Sequence, residues 1–232
     1  MPNNNWDVMK DNLEQLHPQW IAPFQWSVFG QKQRVLMREK GFWKTIPRIG
    51  FHLGVYGLVQ AGWFCDGLRP SKTPTPSLPQ SVFILGHQRS GTTFLHRLLA
   101  GNAWAHSLAL QEMLLPSSSI QWGIQQIDRL DQVLGGHLRT FLDQRQAKAF
   151  GALDHIHRVR FNEPEEDEFA MWNMYASDMC INDDPTLLNS SPQDMPKPFL
   201  DWSAKQQYSS LMWYRACVQK KLQRVGGQGL YV

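Results

Sequence analysis

The residues best suited to chemistry lie in a short glycine-containing loop, Gly86-His87-Gln88-Arg89-Ser90-Gly91-Thr92-Thr93. The loop follows an apolar run, Ser81–Leu85, that is typical of a strand buried on both faces of a parallel sheet. It precedes residues Phe94–Ala100, whose leucines have helical spacing. The backbone N–H groups of such a strand–loop–helix unit, with the positive end of the helix, can surround an anion. The pattern therefore predicts a binding site for a phosphate or a similar tetrahedral anion.

The loop departs from the version that binds nucleoside triphosphates. In that version the second glycine is followed by a lysine, which neutralises the terminal phosphates, and by a hydroxyl residue that holds Mg²⁺. Here Thr92 follows Gly91, and the cation is Arg89, inside the loop. A triphosphate with Mg²⁺ is therefore less well supported, whereas Arg89 and the three loop hydroxyls suit a less highly charged pair of anions.

The stretch Phe83–His96 resembles the 5′-phosphosulfate loop of sulfotransferases, which use 3′-phosphoadenosine 5′-phosphosulfate (PAPS). Its Gly-His-x-Arg-Ser-Gly-Thr-Thr-x-Leu-His form is similar to that of a mostly bacterial branch, which commonly has proline where this chain has Gln88. The resemblance implies an α/β fold of the P-loop type, helix-rich, with three layers around a central parallel sheet and an N-terminal helical extension. It also implies that PAPS, as co-substrate and without a metal, is bound by Gln88, Arg89, Ser90, Gly91, Thr92 and Thr93.

The resemblance further implies a reaction, the transfer of a sulfuryl group to the hydroxyl of a small, apolar or lipid-like acceptor. Arg89 and the loop amides are expected to stabilise the negative charge on the moving group. Several sulfotransferases place a general-base glutamate about twenty residues after the loop. Glu112 lies 21 residues after Gly91, beyond a stretch, Ser107–Leu110, that is typical of a short strand. We expect Glu112 to deprotonate the acceptor; a solvated turn residue or an ion-pair partner is the alternative.

Two histidines offer a second candidate for the base, because other sulfotransferase branches use histidine. His155 and His157 alternate with apolar residues in a basic stretch, and we take His157 as a catalytic candidate. A strand or an extended face explains the alternation equally well.

The acidic segment, residues 163–168, has a structural interpretation. Asn162 or Glu163 can start a helix, Pro164 suits its first position, and carboxylates favour its positive end. A role in the acceptor pocket is the alternative. Farther along, Ser117–Ser119 predict the start of a helix, and Trp202–Val225 form a long amphipathic stretch that Gly226 ends.

The first part of the chain predicts helices with an uneven charge. Residues 30–50 hold six lysines and arginines against the single acid Glu39, whereas the whole chain has a net charge of only +3, which does not argue for a nucleic-acid partner. An apolar, glycine-rich run, Ile49–Cys65, follows. It is too short and too polar in its middle for a typical membrane span, so a buried helix or an interfacial helix remains.

These features divide the chain into an N-terminal helical region (1–65), a proline-rich connector (66–80) and the N-terminal half of a sulfotransferase domain (81–232). The family's 3′-phosphate site is expected beyond residue 232, so we expect this chain to be truncated and to bind PAPS and turn over poorly. The three scattered cysteines favour a reducing compartment. A cytoplasmic location, with peripheral membrane contact through residues 30–65, fits these observations.

Two other functions compete with this interpretation. A P-loop nucleotide kinase or NTPase would share the loop but would prefer a nucleotide with Mg²⁺. A non-catalytic, membrane-associated module would use the basic segment 30–65 and have no nucleotide affinity.

Overall fold

A computed structural model of the chain describes residues 23–68, 80–87, 90–151, 159–175, 199–226 and 230–232. Within these ranges the helices are α1 (Trp26–Lys40), α2 (Phe42–Leu68), α3 (Thr92–Ala100), α4 (Leu110–Leu114), α5 (Ser118–Val133), α6 (His137–Phe150), α7 (Phe169–Trp172) and α8 (Ala204–Val225). The strands are β1 (Ala105–His106) and β2 (Leu230–Tyr231), and residues Phe199–Asp201 form a 3-10 turn.

The predicted start of α5 near Ser117 and the predicted end of α8 at Gly226 are confirmed, whereas α8 begins at Ala204, two residues after the predicted Trp202. The Ser117 hydroxyl accepts a hydrogen bond from the N–H of Ile120 at the start of α5. The Ser203 hydroxyl does the same for Gln206 at the start of α8, and Gly226 ends α8 with φ +89°, a left-handed conformation that glycine adopts without cost. The serine caps satisfy backbone donors that a helix cannot satisfy itself.

The strands are short, parallel and ordered as an α/β fold requires. β1 pairs with β2 in the register Ala105↔Leu230 and His106↔Tyr231. Ser81 forms a parallel bridge with Tyr231, and the N–H of Val82 donates to the Tyr231 carbonyl at 2.8 Å. β2 therefore lies between β1 and residues 81–82, and the predicted helix-rich α/β fold with a parallel sheet is confirmed.

The strand predicted over Ser81–Leu85 is wrong in its extent and burial. Only its first two residues pair with β2, while Phe83 and Leu85 are 81% and 91% exposed. Apolar side chains in a parallel sheet are buried only where elements cover both faces. Nothing among the described residues covers these two side chains.

The helix α8 contacts both main groups of core residues. Trp213 and Cys217 pack in a cluster with Val59 and Trp63 of α2. On a neighbouring part of α8, Val218 and Leu222 pack with Leu108 and β2 residue Tyr231. The N-terminal helices and the sheet are therefore joined through one long helix.

The junction between α2 and α5 is close and polar. A Cβ built on Gly62 of α2 would lie 2.5 Å from Ile120 Cδ1, so this close approach requires glycine. One turn later, the buried Asp66 carboxylate accepts hydrogen bonds from the N–H groups of Ser118 and Ser119, at 2.9 and 2.7 Å. Asp66 thus caps α5 from another helix. It also shows that α2 continues past residue 65, into the segment that the sequence assigns to the connector.

Lys220 of α8 completes this junction. Its ammonium lies 2.5 Å from Asp66 Oδ2 and 4.3 Å from the centroid of the Trp63 ring. Burial alone would raise the pKa of Asp66, but the hydrogen bonds and charge of Lys220 and the N–H of Ser119 outweigh it and lower the pKa. The ionised carboxylate therefore stabilises the contact of α2 with α5 and α8.

We expect Asp66→Asn to lower the free energy of unfolding by about 2 kcal/mol at pH 7, because hydrogen bonds to a charged group are lost. An acid with a lowered pKa in the folded state stabilises the fold above its unfolded pKa, about 3.9, and this contribution is lost as the pH falls through the folded pKa. The difference in the free energy of unfolding between Asp66→Asn and the unmodified chain should therefore become smaller at acidic pH. Urea unfolding at several pH values measures it, with the exposed Asp201→Asn as control. If Asp66→Asn and Asp201→Asn lower the free energy of unfolding equally, the ionised Asp66 carboxylate does not stabilise this junction.

Candidate functional site

The glycine loop makes a tight turn between residues 81–82 and α3. A Cβ built on Gly86 would lie 2.6 Å from Ser90 Oγ and 2.7 Å from Thr92 Cγ2. Gly91 has φ +85° immediately before α3, a left-handed conformation. Both glycines are therefore required: one lets two hydroxyl side chains approach the backbone, and the other lets the chain turn into the helix.

Three loop residues lie at the start of α3. Thr92 and Thr93 are its first residues, and Gly91 precedes them, its carbonyl accepting the N–H of Leu95 at 3.0 Å. The N–H groups of a helix's first turn have no partner within the helix, and they carry part of its positive dipole. These backbone donors are the groups that the sequence analysis expects to bind an anion, and the side chains of Ser90 and Thr92 lie close against Gly86.

The acidic segment packs beside α3. The Arg97 guanidinium lies 3.3 Å from Glu165 Oε2 and 3.9 Å from Glu163 Oε2, and it also donates to the Pro164 carbonyl. Glu165 is fully buried, so Arg97 is the cation that offsets its charge. Nearer the loop, the Thr93 hydroxyl donates to Glu166 Oε1 over 3.4 Å. The acidic segment is therefore attached to the helix that begins at the loop.

The helix predicted to start at Asn162 or Glu163 is wrong, because α7 begins at Phe169. The preceding residues pair instead with the chain after β1. The N–H of Leu110 donates to the Glu163 carbonyl, the N–H of Glu165 donates to the Leu108 carbonyl, and Pro164 forms an antiparallel bridge with Ala109. Tertiary backbone pairing outweighs the local helix signals here.

A partly buried carboxylate, Asp167, lies near the end of the acidic segment. Asp167 accepts hydrogen bonds from the hydroxyls of Tyr214 in α8 and of Tyr231 in β2, the latter at 3.0 Å. Burial raises the pKa of Asp167, and the two tyrosine hydrogen bonds offset this only in part. This group fixes the acidic segment to α8 and to the middle strand. Close by, His96 of α3 lies 3.2 Å from the Val232 carbonyl.

Glu112 lies at the third position of α4, shortly after β1. The predicted strand Ser107–Leu110 is displaced: β1 is Ala105–His106, and Leu110 already belongs to α4. Since Glu112 Oε2 accepts the N–H of Ala109 at 3.0 Å, the carboxylate itself helps to start this helix. Glu112 follows β1, and residues that follow parallel strands are expected at the carboxyl edge of the sheet.

The Glu112 carboxylate also forms two ion pairs with α8. Lys221 Nζ lies 2.9 and 2.8 Å from its two oxygens, and Arg224 Nη2 lies 3.0 Å from Oε1. Burial alone would raise the pKa of Glu112, but Lys221, the Ala109 N–H and Arg224 lower it. Glu112 is therefore ionised at neutral pH, and both of its oxygens already have partners.

The other predicted site residues fall outside the described part of the chain. These are Gln88 and Arg89 in the loop and the pair His155 and His157. Sequence reasoning did not identify Arg97, Lys221 or Arg224 as partners of the acids. The position of Arg97, one helical turn after the loop, is a signal that could have indicated its contact. No such signal exists for Lys221 and Arg224, because they are more than a hundred residues from Glu112.

The fold and the described loop residues define an α/β protein in which a glycine-containing loop leads into a helix. Residues 79–182 match the model of the sulfotransferase family, so this segment of the chain is similar to that family. The matched range contains the loop, Glu112 and the acidic segment. No curated protein and no solved structure gives a significant match to the chain. The family match supports a transferase that moves a sulfuryl group.

We expect Gly86→Ala to weaken the binding of 3′,5′-diphosphoadenosine at least tenfold, because the added methyl group must displace the side chains of Ser90 and Thr92. The measurement is titration calorimetry with the 232-residue chain. Gly123→Ala is the matched control, since a Cβ there meets nothing within 4 Å and the residue lies within α5. Equal affinities for the two variants would show that the Gly86 cradle does not form the site.

Proposed function

We propose that the protein transfers the sulfuryl group of PAPS to the hydroxyl of a small, apolar or lipid-like acceptor. The observation that carries the proposal is the loop: Gly86 and Gly91 bring two hydroxyl residues and the first turn of α3 together, inside the segment that matches the sulfotransferase family. PAPS, when bound, supplies the activated sulfuryl group. The family normally uses this donor.

The loop residues fit such a donor by charge and shape. Helix N–H groups and hydroxyls from Ser90, Thr92 and Thr93 are suitable donors to phosphate or sulfate oxygens. In the proposal, Arg89 supplies the positive charge that stabilises the transition state, and Gln88 lines the loop. These groups act by orientation and electrostatics alone, and no metal is required for their part.

Glu112 remains our proposed general base. It is ionised at neutral pH and lies on the carboxyl side of the sheet, so it can accept a proton from an acceptor hydroxyl. Its ion pairs with Lys221 and Arg224 support a structural role at the same time. In the proposal these cations orient the carboxylate and keep it deprotonated. His157 is the alternative base.

The division of the chain belongs to the same proposal. We place an N-terminal helical region up to the end of α2 at Leu68, a connector from there to residue 80, and a sulfotransferase segment over 81–232. None of the described helices combines the length and apolar character needed to cross a membrane. We propose a cytoplasmic protein that contacts a membrane peripherally through residues 30–65.

The donor proposal predicts that the chain binds 3′,5′-diphosphoadenosine without Mg²⁺, weakly, and that Arg89→Ala reduces this affinity at least tenfold because the loop loses its cation. Thermal stabilisation and calorimetry measure it. The exposed Arg215→Ala on α8 is the matched control and should bind normally. A preference for ATP with Mg²⁺ would instead support a kinase or NTPase.

The base proposal predicts a shift in the pH profile of Lys221→Met. Lys221 lowers the pKa of Glu112, so its removal should raise that pKa and move the acidic limb of the rate profile to higher pH. Single-turnover transfer of labelled sulfate from PAPS measures this, even where turnover is slow. Glu112→Gln should reduce the same rate about 10²–10⁴-fold.

Folding effects of these changes can be separated from catalysis. Removing one partner of a buried ion pair costs on the order of 3 kcal/mol, so urea unfolding of both variants must accompany the rates. If Glu112→Gln remains folded and transfers sulfate at the normal rate, Glu112 is not the base. An acidic limb that stays in place in Lys221→Met would contradict the proposal in the same way.

A further inference from the structure

The outward face of α2 is almost wholly apolar. Fourteen of its 27 residues are exposed, and Lys44 is the only charged residue among them. The large side chains Trp43, Phe51, Phe64 and Leu68 are between 61% and 82% exposed. A soluble monomer rarely exposes an apolar surface of this length, and such surfaces commonly mark an interaction site.

The opposite face of α2 is fixed to the protein. His52, Val59 and Trp63 are buried, and Gly62 lies against Ile120 of α5. At 1.5 Å per residue the helix is about 40 Å long. Because one side of α2 packs against the protein along this length, the helix can lie with its outward face flat against another surface. Such a surface would have to be planar, with an apolar interior beneath a polar outer layer.

Positive charge is concentrated near the end of α2 that follows α1. Four exposed cations lie in α1 and the first turn of α2, namely Arg34, Arg38, Lys40 and Lys44. Glu39 is the exposed acid of this region, and it pairs with Arg38 at 2.9 Å. The end near Leu68 has Asp66, which is engaged with Lys220 and the start of α5. Positive charge therefore lies near the start of α2, and exposed apolar side chains lie along the rest of its outward face.

A second copy of the chain matches this pattern poorly. If two α2 faces packed in parallel, their basic ends would meet and repel each other. If they packed antiparallel, each basic end would meet the partner's Phe64–Leu68 end, whose carboxylate, Asp66, is already engaged. An anionic bilayer surface offers both complements, since its phosphates attract the cations and its acyl boundary accepts the aromatic side chains.

We propose that the outward face of α2 docks on an anionic lipid bilayer, with the helix axis in the plane of the membrane. Trp43 and Phe64 enter the boundary between headgroups and acyl chains, and Lys40 and Lys44 lie at the lipid phosphates. This inference assigns the surface for the peripheral contact proposed above. It does not depend on sulfuryl transfer, so the test below uses no PAPS.

The test is co-sedimentation of the 232-residue chain with vesicles of phosphatidylcholine and phosphatidylglycerol, compared with phosphatidylcholine alone. We expect binding to the anionic vesicles that weakens with salt. Trp43→Ser should weaken it on the order of tenfold, because a large apolar contact is lost. Its matched control is Trp122→Ser, which removes an exposed tryptophan from α5. Lys44→Glu should weaken binding about tenfold, and Lys205→Glu, an exposed change on α8, should not.

Three results would overturn the proposal. The first is an absence of vesicle binding, and the second is equal binding to both vesicle types. The third is a dimer in sedimentation equilibrium that Trp43→Ser, but not Trp122→Ser, converts to a monomer, because the face would then be occupied by a second copy. If the chain binds anionic vesicles as expected but does not bind 3′,5′-diphosphoadenosine, the proposed function is rejected and this inference stands.

Discussion

Two neighbouring lysines of α8 hold together parts of the chain that are far apart in sequence. Lys220 pairs with Asp66 at the end of α2, and Lys221 pairs with Glu112 in α4. Consecutive residues on a helix point in different directions, by about 100°, so the two lysines reach two different neighbours. Each acid also accepts hydrogen bonds at the start of a helix, α5 for Asp66 and α4 for Glu112. The ion pairs therefore fix helix starts as well as helix positions.

A displacement of α8 would affect several other elements at once. The same helix contacts the acidic segment through Tyr214, which donates to Asp167, and it contacts α7 through Trp213, which donates to the Ala170 carbonyl. The acidic segment in turn contacts α3 through Arg97. A displacement of α8 would therefore reach the loop helix and the proposed base together. The N-terminal helices depend on the same element, since their core cluster includes Trp213 and Cys217.

The local parts of the structure could be predicted from the sequence, and the parts that depend on distant partners could not. The loop, the caps at Ser117 and Ser203 and the end of α8 at Gly226 follow from short-range rules. The acidic segment does not form the predicted helix, because its backbone groups pair with residues 108–110, more than fifty positions away. Likewise Glu112 was identified by its distance from the loop, whereas its partners in α8 could not be.

The proposed anion site lies beside an acidic segment whose carboxylates have partners of their own. Glu163 and Glu165 share Arg97, Asp167 is held by two tyrosine hydroxyls, and Glu166 contacts Thr93 at the loop. Since Arg97 is occupied in offsetting these carboxylates, it has little charge to offer an anion at the loop. In the proposed function, the positive potential at the loop comes from the start of α3 and from Arg89. This is why the arginine inside the loop, rather than a cation on the following helix, is the residue on which anion binding should depend most strongly.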